Sequence, residues 1–215
     1  MWDVAGPTTS VTHMVVRAVV FDVGNVLELS EDNYAFHGRA ASLGLTSEEF
    51  DERMQAATDG GDVGTVTLED VHRNLGEAFG IDEAQVNAIM EDLWREYLGT
   101  ANTGLTDWAR GLRPRYKTGI LSNSFVGARE REQAAYGYMD FIDDLVYSHE
   151  VGLAKPDPRI YLLSCSRLNV QPSEAVFIDN HEPYVQAARE VGMHGVHFTG
   201  DNAKAIAEVT ALLAG

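Results

Sequence analysis

The chain has 215 residues (23.6 kDa), 45% hydrophobic and 23% charged, with 20 Gly and 6 Pro, which excludes collagen, short disulfide scaffolds and a disordered chain. Asp and Glu number 33 against 16 Lys and Arg, a net charge of −17, so no nucleic acid and no membrane surface is expected as a partner. No apolar run reaches the ~20 residues of a spanning helix, Met1-Trp2-Asp3 lacks the basic start of a signal peptide, and the single Cys165 forms no intrachain disulfide, so a cytoplasmic location is expected.

Residues 1–13 combine Gly, Pro and a Ser/Thr cluster without periodicity and are expected to form a flexible arm, with Met14 a candidate start. Ala18-Val19-Val20-Phe21 is the first of five short apolar runs that do not alternate. The others are Gly119-Ile120-Leu121, Leu145-Val146-Tyr147, Ala175-Val176-Phe177-Ile178 and Gly195-Val196-His197-Phe198. Such runs suit strands covered on both faces, and helical segments between them, such as Tyr184, Ala187, Ala188 and Val191, predict an α/β, Rossmann-like doubly wound parallel sheet.

About a hundred residues separate the first run from the second, too many for one crossover helix. The stripes Phe50, Met54, Ala57, then Leu68, Val71, Leu75, Phe79, then Val86, Ile89, Met90, Leu93, Tyr97 follow start signals at Ser47, Thr67 with Asp70, and Asp82. They predict a small all-helical cap over 32–102, inserted into a core made of 14–31 and 103–215, with the stripes and Trp94 serving as cap packing.

In an open parallel sheet, ligands bind beyond the carboxyl ends of the strands. There the chain places Asp22-Val23-Gly24-Asn25, Ser122-Asn123, Lys155-Pro156-Asp157 and Asp179-Asn180. Two carboxylates at one edge repel unless a cation lies between them, and hard oxygen ligands suit Mg²⁺. A hydroxyl, backbone N–H groups and an ammonium offer donors to an anion. Each member alone also has an ordinary reading: Asp22, Ser122 and Asp179 as caps or turn residues, Lys155 as a solvated loop residue. Lys155 is one of only three lysines beside 13 arginines, and the four strand ends in order point together to metal-assisted attack on phosphate.

The stretches VVFDVGNVL (19–27), GILSNS (119–124), EVGLAKPDPRIY (150–161) and VFIDNHEPYVQAAREVGMHGVHF (176–198) resemble the four ordered motifs of the haloacid dehalogenase-like hydrolase superfamily. The resemblance runs from residue 15 to the C-terminus and is greatest to its subfamily IA (variant 3-like), whose helical cap lies between the first two motifs. That branch includes sugar-phosphate phosphatases and the phosphatase domain of soluble epoxide hydrolases. The resemblance implies a Mg²⁺-dependent phosphatase for a small phosphorylated metabolite, acting as monomer or homodimer. Asp22 would form an aspartyl-phosphate, Ser122 and Asn123 would hold the phosphoryl group, and Lys155 would neutralise both. Asp22, the Gly24 carbonyl and Asp179 would hold the metal.

Two positions depart from the family pattern. Gly24 stands where most phosphatases of the superfamily carry a second Asp as acid/base, although some active members also have Gly-Asn-Val here. Asn180 replaces a frequent Asp, so that Asn180 or Glu182 would have to support the metal from a second layer. A 2-haloacid dehalogenase also lacks the second Asp but needs no metal, which the retained Asp179 argues against. A catalytically weak phosphoryl-binding or regulatory protein is the reading that Gly24 and Asn180 favour. An acid recruited from the cap would come from His37, Asp59 or Asp62. His72 and His181 are expected on helices in capping or surface roles, and Cys165 as a packed, inert thiol.

Overall fold

The computed structural model describes residues 15–30 and 35–214, with the backbone alone for 35–37. The expected arm at 1–13, Met14 and the His37 side chain therefore lie outside the described residues.

The strand β1 (Ala18–Phe21) is followed by the short β2 (Glu28–Leu29), and then by four helices: α1 (Ala35–Ser42), α2 (Ser47–Thr58), α3 (Leu68–Phe79) and α4 (Glu83–Leu98). β3 (Thr100–Ala101) pairs antiparallel with β2, so the two chain segments leading into and out of the helical insertion run side by side. After α5 (Thr103–Gly111) the chain alternates β4 (Lys117–Ser122), α6 (Ala128–Tyr136), β5 (Asp144–Tyr147), α7 (Ser148–Val151) and α8 (Pro158–Arg167). It continues as β6 (Ala175–Asp179), α9 (Glu182–Glu190), β7 (His194–His197) and α10 (Asn202–Leu213). The main sheet has the order β5-β4-β1-β6-β7, all parallel. This is the expected α/β architecture.

The lack of alternation has a direct cause. Val19 and Phe21 pack with Leu105, Ala109, Ala205 and Val209 of α5 and α10, while Ala18 and Val20 pack with Ile160, Tyr161, Cys165 and Ala188 of α8 and α9. All four residues of β1 are fully buried, so both faces of the central strand demand apolar side chains. Cys165 belongs to this packing, and burial pushes its thiol up to about 11, as expected of an inert thiol.

The predicted helix starts at Thr67 and Asp82 are present as capping boxes closed by Asp70 and Gln85. At α2 the cap is Thr46 rather than Ser47: its side chain accepts from the Glu49 N–H and the Glu49 carboxylate answers the Thr46 N–H, because the box needs its acid three residues on. The helical stripes converge in a separate cluster of Phe50, Met54, Val71, Leu75, Ile89 and Trp94, which also takes in Val126 and Ala128. Trp94 and Tyr97 pack edge to face at 5.3 Å.

The turn between α2 and α3 rests on the carboxyl edge of the sheet. The Val126 N–H donates to the Gly61 carbonyl (3.0 Å) and the Ser148 hydroxyl to the Asp62 carbonyl (2.5 Å). Gly64 lies so close that a Cβ there would sit 1.8 Å from the His149 carbonyl oxygen, an approach only glycine permits.

Candidate active site

β1 sits at the centre of the sheet between β4 and β6, with Phe21 level with Ile120 on one side and Ile178 on the other. Asp22, Ser122 and Asp179 thereby emerge at neighbouring strand ends, and the Asp22 N–H continues the ladder to the Ile178 carbonyl (2.9 Å). Asp22 is 8% exposed, Ser122 2% and Asp179 0%.

Lys155, from the loop between α7 and α8, joins the two carboxylates. Its Nζ lies 2.8 Å from Asp22 Oδ1 and 2.6 Å from Asp179 Oδ2, and the side chain is 1% exposed. Asp179 Oδ1 accepts from the His181 N–H (2.7 Å), so this aspartate also orders the start of α9. Burial pushes the Asp22 carboxyl up to about 6, with Lys155 pulling it down and Asp179 adding to the rise. For Lys155 burial works against the charge, but Asp22 and Asp179 outweigh it and hold the ammonium above its usual range.

The other expected members sit differently. Asn123 is turned onto the Lys155 backbone, donating from Nδ2 to its carbonyl (3.0 Å) and accepting at Oδ1 from its N–H (2.7 Å). Asn180 is exposed, and its carbonyl is within 3.0 Å of His197 Nε2. The Glu182 carboxylate is engaged by Arg189 (2.7 Å) and His197 (3.2 Å). Asp59 and Asp62 are exposed on the turn after α2. His181 packs edge to face on Tyr184 at 4.4 Å between ring centres, while His72 is half-buried on α3.

Hard oxygen donors fit Mg²⁺: two aspartates on adjacent strands with the Gly24 backbone nearby, the rest of the shell left to water. Among the described residues no three His, Cys, Asp or Glu side chains gather as a metal cage. Two buried carboxylates and one ammonium leave one net negative charge out of reach of bulk water, which a divalent cation would offset.

Sequence reasoning missed two buried acids near Asp22. Glu28 on β2 is 3% exposed, its Oε2 has no hydrogen-bond partner, and burial pushes the carboxyl up to about 8. A Cβ at Gly24 would lie 3.7 Å from its Oε1, and one at Gly99 2.7 Å from its Oε2. Glu132 on α6, 1% exposed, accepts from the hydroxyls of Tyr147 (2.5 Å) and Tyr97 (3.2 Å). Burial raises it to about 7 against those two hydrogen bonds, with Asp22 adding repulsion. The only sequence signal was acidity inside Val26-Leu27-Glu28-Leu29.

Glu132 has a consequence for stability. Its folded value of about 7 exceeds the ordinary 4.5, so the folded state holds the proton more tightly. The stabilisation is complete below about pH 4.5 and is lost as pH rises through 7, about 3 kcal/mol in all. Glu132→Gln should melt higher than wild type at pH 8 and lose most of that advantage at pH 5; equal midpoints at both pH values would show that Glu132 carries no such burden.

The chain matches the haloacid dehalogenase-like hydrolase family over residues 16–192, and it belongs to that family of enzymes. Among its relatives, Bifunctional epoxide hydrolase 2 of Sus scrofa is 28% identical over 84% of this chain, which spans only 36% of that protein. Phosphatase MT3486 of Mycobacterium tuberculosis is 29% identical over 84% of this chain and 86% of its own length. A HAD family enzyme of Bacteroides thetaiotaomicron, solved with magnesium and inorganic phosphate, superposes with a TM-score of 0.72 over 86% of this chain and 95% of that one, at 21% identity. No helix among the described residues is long and apolar enough to cross a membrane.

Proposed function

We propose that the protein is a Mg²⁺-dependent phosphomonoester hydrolase acting on a small phosphorylated metabolite through an aspartyl-phosphate on Asp22. The observation that carries this reading is the Lys155 ammonium held between the Asp22 and Asp179 carboxylates, with the Ser122 hydroxyl on the adjoining strand end. An Asp22 oxygen attacks phosphorus while the ester P–O bond breaks, and the departing oxygen takes its proton from solvent. Water then hydrolyses the acyl phosphate, releasing inorganic phosphate and restoring the carboxylate.

A carboxylate approaching a phosphate dianion meets strong repulsion. Lys155 offsets it from one side, and Ser122 and nearby backbone N–H groups donate to the phosphoryl oxygens. Asp22, Asp179 and the Gly24 carbonyl would hold Mg²⁺, which supplies positive charge where negative charge collects. We read segment 32–102, whose described part carries α1–α4, as a cap. The resting of its 59–66 turn on residues 126 and 148 supports a covered site that admits small phosphates rather than macromolecules.

The test is hydrolysis of an aryl phosphate with and without Mg²⁺. Activity is expected to fall by about 10²-fold or more in excess chelator, the scale of losing a preorganised charge stabiliser, and to return on adding Mg²⁺. Full activity in chelator would reject the metal assignment, and halide release from 2-haloacids without phosphatase activity would favour the dehalogenase reading.

A further inference from the structure

We propose that Asn123 is the positioning residue that aims Lys155, with Tyr184 as its support, and that its amide does not bind the phosphoryl group; this rests on the phosphatase reading of the same site. The Asn123 side chain pairs with the Lys155 peptide as a neighbouring strand would: Oδ1 accepts from the Lys155 N–H at 2.7 Å and Nδ2 donates to the Lys155 carbonyl at 3.0 Å. The N–H of Lys155 fixes which end of the amide is oxygen. An amide nitrogen has two protons. The second has the Tyr184 hydroxyl as an acceptor at 3.4 Å, so each proton of the amide has an acceptor within the protein.

Tyr184 acts on the other end of the same lysine. Its ring centre is 5.0 Å from Lys155 Nζ, with the Phe177 ring at 5.4 Å, and its carbonyl is held by the Tyr161 hydroxyl at 3.0 Å. The ammonium therefore has two carboxylates in hydrogen-bond reach and two aromatic faces alongside, a surrounding that favours a cation. Its loop is pinned at the root by Asn123. Lys155 is 32 residues from Asn123 in sequence, and without the clamp its N–H and carbonyl would each need a new partner in a buried place.

Two measurements test this. The first is a double-substitution cycle on phosphatase turnover. Asn123→Ala should lower kcat by about 10- to 100-fold, as a misplaced catalytic group does, with KM changed less than about threefold. In a Lys155→Ala background the same substitution should change kcat by less than about threefold, because its effect passes through the absent ammonium. Equal losses in both backgrounds, or a raised KM at unchanged kcat, would mean that Asn123 binds the phosphoryl group itself and would overturn the proposal.

The second measurement does not depend on turnover. The chain has three lysines, Lys117, Lys155 and Lys204, so ¹⁵Nζ-labelled lysine should give one slowly exchanging ammonium signal, absent from Lys155→Arg. Asn123→Ala, or Asn123→Ser should the alanine variant fold poorly, should shift that signal and speed its exchange. An unchanged signal in a folded variant overturns the proposal. A wild type that hydrolyses no phosphomonoester would reject the phosphatase reading alone, and the signal would still decide whether Asn123 positions Lys155.

Discussion

Asp22→Asn is expected to reduce phosphomonoester turnover by about 10⁴- to 10⁶-fold, the scale of losing the nucleophile from a covalent catalytic unit. The amide has the shape of the carboxylate but no charge and little nucleophilicity. Lys155 keeps Asp179 at 2.6 Å, so the ammonium stays paired and the strand ends stay in register. The variant also loses a charge that burial disfavours, so in metal-free buffer it should melt no lower than wild type. Single-turnover kinetics with an aryl phosphate, and circular dichroism to confirm folding, check both parts. A folded variant that kept a tenth of the wild-type rate would remove Asp22 from the role of nucleophile.

The parallel sheet was legible because burial on both faces leaves a strong sequence trace: four consecutive apolar residues in β1, and similar runs ending in Ser122 and Asp179. Helix starts were legible wherever a side chain closes on the backbone three residues away, as at Thr67 and Asp82. The same rule shows why Thr46 and not Ser47 caps α2, since Glu49 lies three residues after Thr46. The β2–β3 pair escaped, being two residues long on each side and joined by contact between positions about seventy apart.

The strand-end residues were readable as chemistry, but their partners were not. Nothing local says that Asn123 turns to the Lys155 peptide, nor that Tyr184, one of a helical stripe, would face the ammonium. Glu132 lies in the polar run Ala-Arg-Glu-Arg-Glu-Gln and reads as a solvated helix face. Only the tertiary approach of Tyr97 and Tyr147 makes it a buried acid. Burial of a polar residue is a property of the assembled fold, so pattern analysis that assumes polar means exposed will pass over such groups.

Gly24 leads to a second large effect. With no side chain two residues beyond Asp22, no carboxyl of that turn protonates the departing oxygen, and negative charge must accumulate there in the transition state. The rate should therefore depend steeply on leaving-group pKa, with aryl, acyl or anomeric sugar phosphates exceeding simple alkyl phosphates by about 10²- to 10⁴-fold, the usual worth of a positioned acid. Glu28 is the described carboxyl beside this position, yet it is enclosed at 3% exposure and one oxygen accepts from the Ser30 hydroxyl at 3.3 Å. Glu28→Gln is accordingly expected to leave the slope unchanged.

The space at position 24 allows a direct test. A Cβ there meets nothing nearer than Glu28 Oε1 at 3.7 Å, an ordinary contact, and the backbone is not in the left-handed region, so Gly24→Asp should fold. It should raise alkyl phosphate turnover while changing aryl phosphate turnover little, flattening the plot of rate against leaving-group pKa. A wild-type plot that is already flat, and that steepens in Glu28→Gln, would show instead that the buried glutamate donates the proton and that Gly24 is no deficit.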